Sequence, residues 1–178
     1  FMAIICGGLG AVGFFKPVTL SLNSLQSKIR TKAVSGEIVV VGIDSPSIRD
    51  IGRWPWPRDV QGELFRKIDG YKPKASYIDI GYQGKTTAQA DQSLRNSMEG
   101  LQSPTKIIAL ATDADDGSVR SIYSHEAAVG KTPSVSAYFP YLFGYVWELP
   151  TTIETDRGRI KSLATSAAAS AVPSNRNF

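Results

Sequence analysis

Residues 37–81 read EIVVVGIDSPSIRDIGRWPWPRDVQGELFRKIDGYKPKASYIDIG, and this stretch decides the fold class. Glu37 to Asp44 is a β-branched apolar run that ends in an acidic residue, a pattern typical of a strand buried on both faces. Asp59 to Asp69 follows with apolar residues at helical spacing. Ala75 to Gly81 repeats the strand pattern, again with an acidic residue near its carboxyl end. The order strand, helix, strand indicates a parallel sheet with a right-handed crossover.

The chain beyond this stretch continues the alternation of strands and helices. Thr87 to Leu101 has helical periodicity, and Lys106 to Ala111 is another apolar strand. Three further segments have weaker patterns, namely a strand at Ser118–Ser124, an aromatic segment that is helical around Pro140 at Ser134–Trp147, and a strand at Gly158–Leu163. We therefore predict an α/β fold, a three-layer sandwich with a mainly parallel central sheet, preceded by a membrane-proximal α-helix.

The amino-terminal segment is apolar, since every residue from Phe1 to Phe15 is hydrophobic or glycine. This run is shorter than the roughly 20 apolar residues that a membrane-spanning helix needs. We therefore predict that residues 1–16 are only the end of an N-terminal transmembrane helix. Phe15 and Lys16 are the aromatic and cationic residues that favour a bilayer interface. A buried first strand or the core of a signal peptide are the alternatives.

Residues 17–34 are predicted to form a juxtamembrane helix. Val18, Leu22, Leu25 and Ile29 recur at spacings of four, three and four, which makes one apolar stripe. Such a stripe can pair with a second copy, giving a homodimer that is anchored to the membrane. It can equally pack on the domain that follows, which we place at residues 35–178.

Composition and motifs exclude several classes of function. The chain has 178 residues and a net charge of +4, and its cations are scattered, so the basic stripe of a nucleic-acid-binding protein is absent. Gly8, Gly10 and Gly13 match GxGxxG, but no acidic residue lies between Gly13 and Glu37 to hold a ribose. No Walker loop, GxSxG, HExxH or CxxC occurs in the sequence. We predict no catalytic residue, cofactor or metal.

The candidate binding residues lie at the ends of the predicted strands. Asp44 and Asp79 close two of these strands, so their carboxylates should converge where open α/β sheets bind ligands. Asp91 opens the next helix, and three such acids could hold a divalent cation in a metal-dependent phosphohydrolase. The alternative is structural: Asp44 caps the turn before Ser47 and pairs with Arg58.

The string GRWPWPR, from Gly52 to Arg58, is the most unusual in the chain. Trp54 and Trp56 each precede a proline, which keeps both out of the helical region and presents their rings on an extended segment. The rings could stack on a ligand or cover the end of the core. Arg58 is either a clamp for an aspartate or a contact for an anion.

These motifs resemble those of the type-2 CHASE domain, the cyclase and histidine-kinase associated sensory extracellular domain. The resemblance runs from Glu37 to Phe139 through VVVGIDSPSIRDIGRWPWPRDVQGELF, YIDIGY, ADQSL, DADDGSVRSI and TPSVSAYF, and AVPSNRNF resembles the family's closing strand. The carried-over characteristic positions are Asp44, Ser47, Gly52, Trp54, Pro55, Trp56, Pro57, Arg58, Asp79, Asp91, Gly117 and Arg120. GYQGK and ATDADDG depart from the family pattern.

The resemblance implies a sensory module of a bacterial inner-membrane receptor that faces the periplasm, with no enzymatic activity of its own. It would relay the binding of a small molecule or a protein to a cytoplasmic cyclase, diguanylate cyclase, phosphodiesterase or kinase. The predicted ligand-binding residues are Asp44, Ser47, Trp54, Trp56, Arg58, Asp79 and Asp91. A metal-dependent phosphohydrolase and a ligand-free dimerisation module remain the rival hypotheses.

Overall fold

The structure is a computed structural model that describes residues 22, 25, 26, 35–113, 118–142, 145, 146 and 149–171. The chain forms two compact units, residues 1–43 with 141–147 and residues 44–140 with 148–178. Of the predicted juxtamembrane helix, Leu22, Leu25 and Gln26 are helical and exposed. The remainder of that helix, the predicted transmembrane end and residues 172–178 lie outside the described residues.

The elements follow one another in a mixed order of helices and strands. The helices are α1 (Ser45–Ile51), α2 (Arg58–Asp69), α3 (Ala88–Glu99), α4 (Glu126–Val129) and α5 (Leu163–Ala171). The strands are β1 (Ser76–Ile78), β2 (Thr105–Asp113), β3 (Val119–Ile122), β4 (Ser134–Ser136), β5 (Tyr141–Leu142), β6 (Tyr145–Val146), β7 (Thr152–Thr155) and β8 (Gly158–Lys161). No described helix is long and apolar enough to cross a bilayer.

The central sheet is mixed and partly parallel. Strand β2 pairs with β1 and with β4 in parallel, and with β3 antiparallel. The registers place Tyr77 opposite Lys106 and Ile108 opposite Val135. Short antiparallel pairs are formed by β7 with β8 and, in the other unit, by β5 with β6. The predicted α/β class is consistent with this sheet.

Two predicted elements are wrong. Residues 37–44 contain no strand, and the four side chains from Ile38 to Val41 are 59–87% exposed. A β-branched run becomes a strand only where a partner strand pairs with it, so composition alone did not decide this segment. The segment around Pro140 is not helical, because β4 precedes it and β5 follows it, and a proline lacks the amide donor that a helix interior needs.

The main core lies between the helices and one face of the sheet. Phe65 of α2, Leu94 of α3, Ile107 of β2 and Val129 of α4 are buried together there. The apolar residues of α2 and α3 recur at helical spacing, which turns one side of each helix toward the sheet. Residues in the first turns of α2 and α3 contribute to the candidate site.

Tyr77 and Lys106, which neighbour core residues in their strands, contact helix α5 instead. The Lys106 ammonium group donates to Ser166 Oγ, and Tyr77 Oη lies 3.2 Å from the Oγ atoms of both Ser166 and Ser170. Because successive side chains of a strand point to opposite faces, these contacts lie on the face away from the main core. These contacts place α5 on the second face of the sheet, but they do not establish a three-layer sandwich, which stays a prediction.

Helices α2 and α3 pack closely at Gly62, where a Cβ atom would lie 2.9 Å from Ser97 Cβ. Replacing Gly62 with alanine should therefore lower the free energy of unfolding by about 1–3 kcal/mol, although alanine favours helices over glycine. Urea unfolding would measure the loss. Gly42→Ala is the matched control, because its added Cβ meets no atom within 4 Å. A Gly62→Ala protein as stable as this control would contradict the close packing.

Candidate functional site

A buried ion pair between Arg58 and Asp91 forms the centre of the candidate site. Arg58 is the first residue of α2, and Asp91 lies in the first turn of α3. The second guanidinium nitrogen of Arg58 donates to the carbonyl oxygen of Gly84, in the loop after β1. One planar guanidinium with several fixed donors can hold both partners at once. The pair therefore ties together three segments that are distant in sequence.

Asp91 receives further hydrogen bonds from Thr86. The Thr86 hydroxyl donates to Asp91 Oδ1 at 2.5 Å, and the Thr86 amide lies 3.3 Å from both carboxylate oxygens. The bond from the Thr86 hydroxyl lowers the pKa of Asp91 despite its burial, and the charge of Arg58 lowers it further. The stabilisation from this carboxylate is thus present above its unfolded-state pKa and is lost as the pH falls through the lower native value.

Beside this pair, two hydrogen bonds connect Tyr82 to the Trp-Pro segment. Tyr82 Oη donates to Gln61 Oε1 at 2.5 Å, and Gln61 Nε2 donates to the carbonyl oxygen of Trp56 at 2.6 Å. The Tyr82 ring lies 5.5 Å from the guanidinium carbon of Arg58. Burial raises the pKa of Tyr82, so its hydroxyl keeps its proton and stays a donor. We call Trp56, Arg58, Gln61, Tyr82, Thr86 and Asp91 the Arg58–Asp91 cluster.

The two tryptophans of the Trp-Pro segment have different surroundings. Trp56 is 5% exposed, and its indole nitrogen donates to the carbonyl oxygen of Gly52 at 2.7 Å. Trp54 is half-buried and meets the Trp56 ring edge to face, with centroids 5.6 Å apart. The Trp54–Pro55 peptide bond is cis, and Gly52 has a φ of 120°, which favours glycine. Trp56 is therefore buried, and of the two tryptophans only Trp54 keeps surface for a ligand.

The other predicted site residues are not members of this cluster. Asp44 caps α1, because its Oδ1 accepts from the Ser47 amide at 3.0 Å and from the Ser47 hydroxyl at 2.6 Å, which lowers the pKa of Asp44. The predicted cap is thus confirmed. The predicted partner of Arg58 was wrong, since Arg58 pairs with Asp91. Asp79 is exposed just after β1.

The metal hypothesis finds no supporting cluster in the part of the chain that the structure describes. Within those residues, no group of three or more histidine, cysteine, aspartate or glutamate side chains could hold a metal ion. Asp44, Asp79 and Asp91 are all described, so the three carboxylates do not form the cluster that the phosphohydrolase needs.

Sequence reasoning missed several members of the Arg58–Asp91 cluster. Gln61 and Tyr82 are buried polar residues, and Thr86 supplies two donors to Asp91. A glutamine inside an otherwise apolar helix face was a usable signal, because a buried amide needs partners. The contacts of Thr86 had no such signal, since they depend on the course of the loop after β1.

A cavity of about 520 Å³ lies elsewhere on the domain, between β3 and β7. Its lining includes Val119, Tyr138, Pro140 and Ile153. None of the predicted ligand-binding residues lines it. We place the candidate site at the Arg58–Asp91 cluster because the sequence motifs and the buried polar contacts coincide there.

The comparison with protein families identifies the chain. The family model of the CHASE2 domain matches residues 1–174. The chain belongs to the CHASE2 domain family. CHASE2 domains are extracellular sensory domains of signalling receptors, and they are sensory and not catalytic. No curated protein and no solved structure matches the chain. Of the carried-over positions, Arg120 is exposed on β3, and Gly117 lies outside the described residues.

Proposed function

We propose that this CHASE2 domain is the periplasmic input domain of a bacterial inner-membrane receptor. A small molecule or a protein contacts it beside the Arg58–Asp91 cluster, and the resulting change is relayed to a cytoplasmic cyclase, diguanylate cyclase, phosphodiesterase or kinase. The predicted ligand-binding residues that retain surface are Asp44, Ser47, Trp54 and Asp79. Trp56, Arg58 and Asp91 are buried and respond through their contacts.

The observation that carries this proposal is the Arg58–Asp91 ion pair, which together with the bond from Arg58 to Gly84 links three segments. Arg58 and Asp91 are 8% and 4% exposed, so their attraction is weakly screened by solvent. A ligand that displaces Trp54 also moves the adjoining start of α2, and with it the guanidinium of Arg58. If the buried pair breaks, the domain has a second state, and a ligand that favours one of the two states shifts their populations.

The proposed relay uses the juxtamembrane helix as a homodimer contact. Leu22 and Leu25 are helical and are 60% and 56% exposed. Apolar side chains three residues apart on one helix suit a seam between two copies. A chain that stays monomeric at every concentration, with its amino-terminal helix retained, would contradict this part of the proposal.

A ligand screen tests the proposed function directly. At a concentration of about 100 times its dissociation constant, a ligand should stabilise the domain by about 2.7 kcal/mol and raise its Tm by about 5–10 °C. Thermal unfolding of the whole chain with periplasmic small molecules and cations, followed by calorimetry, would find it. Asp79→Ala should lose the shift, and Glu63→Ala, another exposed carboxylate, should keep it. If no compound shifts any of these proteins, the ligand-sensing function is wrong.

A further inference from the structure

His125 is the single histidine of the chain, and it lies between the Arg58–Asp91 cluster and helix α4. Its Nδ1 atom accepts a hydrogen bond from the Ala127 amide at 3.1 Å. Its own amide donates to the carbonyl oxygen of Tyr82 at 2.7 Å, and Ser124 Oγ accepts from the Tyr82 amide at 3.1 Å. The residue is therefore fixed to the loop that carries Gly84 and Thr86.

The hydrogen bond from the Ala127 amide to Nδ1 forms only when the imidazole of His125 is neutral. A neutral imidazole accepts at one nitrogen, whereas an imidazolium carries a proton on both and can accept at neither. Histidine is the side chain whose charge changes within about pH 5–8. Protonation of His125 would therefore turn an acceptor toward Ala127 into a second donor, and the Ala127 amide would lose its partner. The buried Ala128 and Val129 of α4 make the position of this short helix matter to the core.

Charged residues on α2, α3 and α4 lie in the neighbourhood of His125. A positive charge on His125 would lower the pKa of Asp91 of α3. Arg58 of α2 holds the same carboxylate. Arg95 of α3 donates to the carbonyl oxygens of Glu126 and Ala127, and Glu126 is the neighbouring acid on α4 itself. A positive charge on His125 is thus attracted by Asp91 and Glu126 and repelled by the two arginines.

We propose that His125 is a proton-sensing residue that regulates the candidate site. Its protonation removes the acceptor for the Ala127 amide. The bond from the His125 amide to the carbonyl oxygen of Tyr82 passes the change to the residue whose ring lies against Arg58. The domain then has one arrangement of α4 and of the Arg58–Asp91 pair in neutral surroundings and another in acid. This inference rests on the proposed function, since the receptor would read the change as a signal.

An NMR titration of the whole chain from pH 8 to pH 5 tests the proposal. The Ala127 and Thr86 amide signals should shift with the same midpoint as the His125 imidazole. The hydrogen-exchange protection of the Ala127 amide, corrected for intrinsic rates, should fall about fivefold, the usual effect of losing a capping side chain. In His125→Asn, which can still accept from Ala127 but does not titrate, neither amide should move. Glu63→Gln, which removes an exposed carboxylate of α2, is the control and should keep the wild-type response.

Two outcomes would overturn the proposal. One is an Ala127 amide in the wild-type chain that does not follow the imidazole. The other is a Thr86 shift that persists unchanged in His125→Asn, or in His125→Ser if the asparagine variant does not fold. The ligand screen is run at one pH, so its failure would remove ligand sensing and leave these shifts in place. Missing pH shifts would remove this inference alone.

Discussion

Replacing Arg58 with methionine should lower the free energy of unfolding by about 3–5 kcal/mol, because it leaves the Asp91 carboxylate buried without its charged partner. The substitution also removes the donor to the carbonyl oxygen of Gly84. Methionine keeps much of the volume of arginine. The loss of unfolding free energy therefore measures the removed charge and hydrogen bonds more than a change in packing. Urea unfolding, with its linear dependence on denaturant, measures the change.

The matched control is Lys67→Met, which removes an ion pair of the same helix. Lys67 lies 3.6 Å from Glu63, and both side chains are more than half exposed. Such surface pairs contribute about 0–1 kcal/mol. The double variant Arg58→Met with Asp91→Leu should regain much of the stability, since two apolar side chains can replace a buried pair. An Arg58→Met protein as stable as the Lys67→Met protein would show that the pair does not hold the segments together.

The second large effect is expected at Leu94, a residue of α3 that is fully buried against α2 and the sheet. Leu94→Ala should cost about 2.5–5 kcal/mol, the sum of lost apolar burial and of the cavity left behind. Leu149→Ala is the control, because Leu149 is 65% exposed and little apolar area is at stake. Equal unfolding midpoints in urea for the two variants would contradict the assignment of Leu94 to the core.

Sequence reasoning correctly predicted the helices and strands whose own residues have a clear apolar periodicity. Helix α2 was expected at Asp59–Asp69 and spans Arg58–Asp69, and the strand expected at Lys106–Ala111 spans Thr105–Asp113. Their apolar periodicity reflects burial against one neighbouring layer, which a single sequence records well. The predicted strand at residues 37–44 failed because pairing depends on a partner strand elsewhere in the chain. Helix α1 was missed although Asp44 and Ser47 supply its cap.

Sequence reasoning identified several residues of the candidate site, but it did not predict which of them contact one another. The sequence marked Arg58 and Asp91, and it offered a clamp for an aspartate as one role of the arginine. It assigned that role to Asp44, the acid at the end of the preceding predicted strand. The real partner is 33 residues away in sequence, and its position depends on how α3 packs beside α2. Contacts of this kind follow from tertiary packing, which local patterns do not contain.

The exposed run from Ile38 to Val41 has a consequence for solubility. Contiguous β-branched residues without charge or proline have the composition of segments that stack into cross-β fibrils. Glu37 precedes the run and Asp44 follows it closely, and charged residues at such flanks act as gatekeepers against aggregation. We expect these two carboxylates to oppose aggregation of the exposed run, a role that Asp44 has in addition to capping α1.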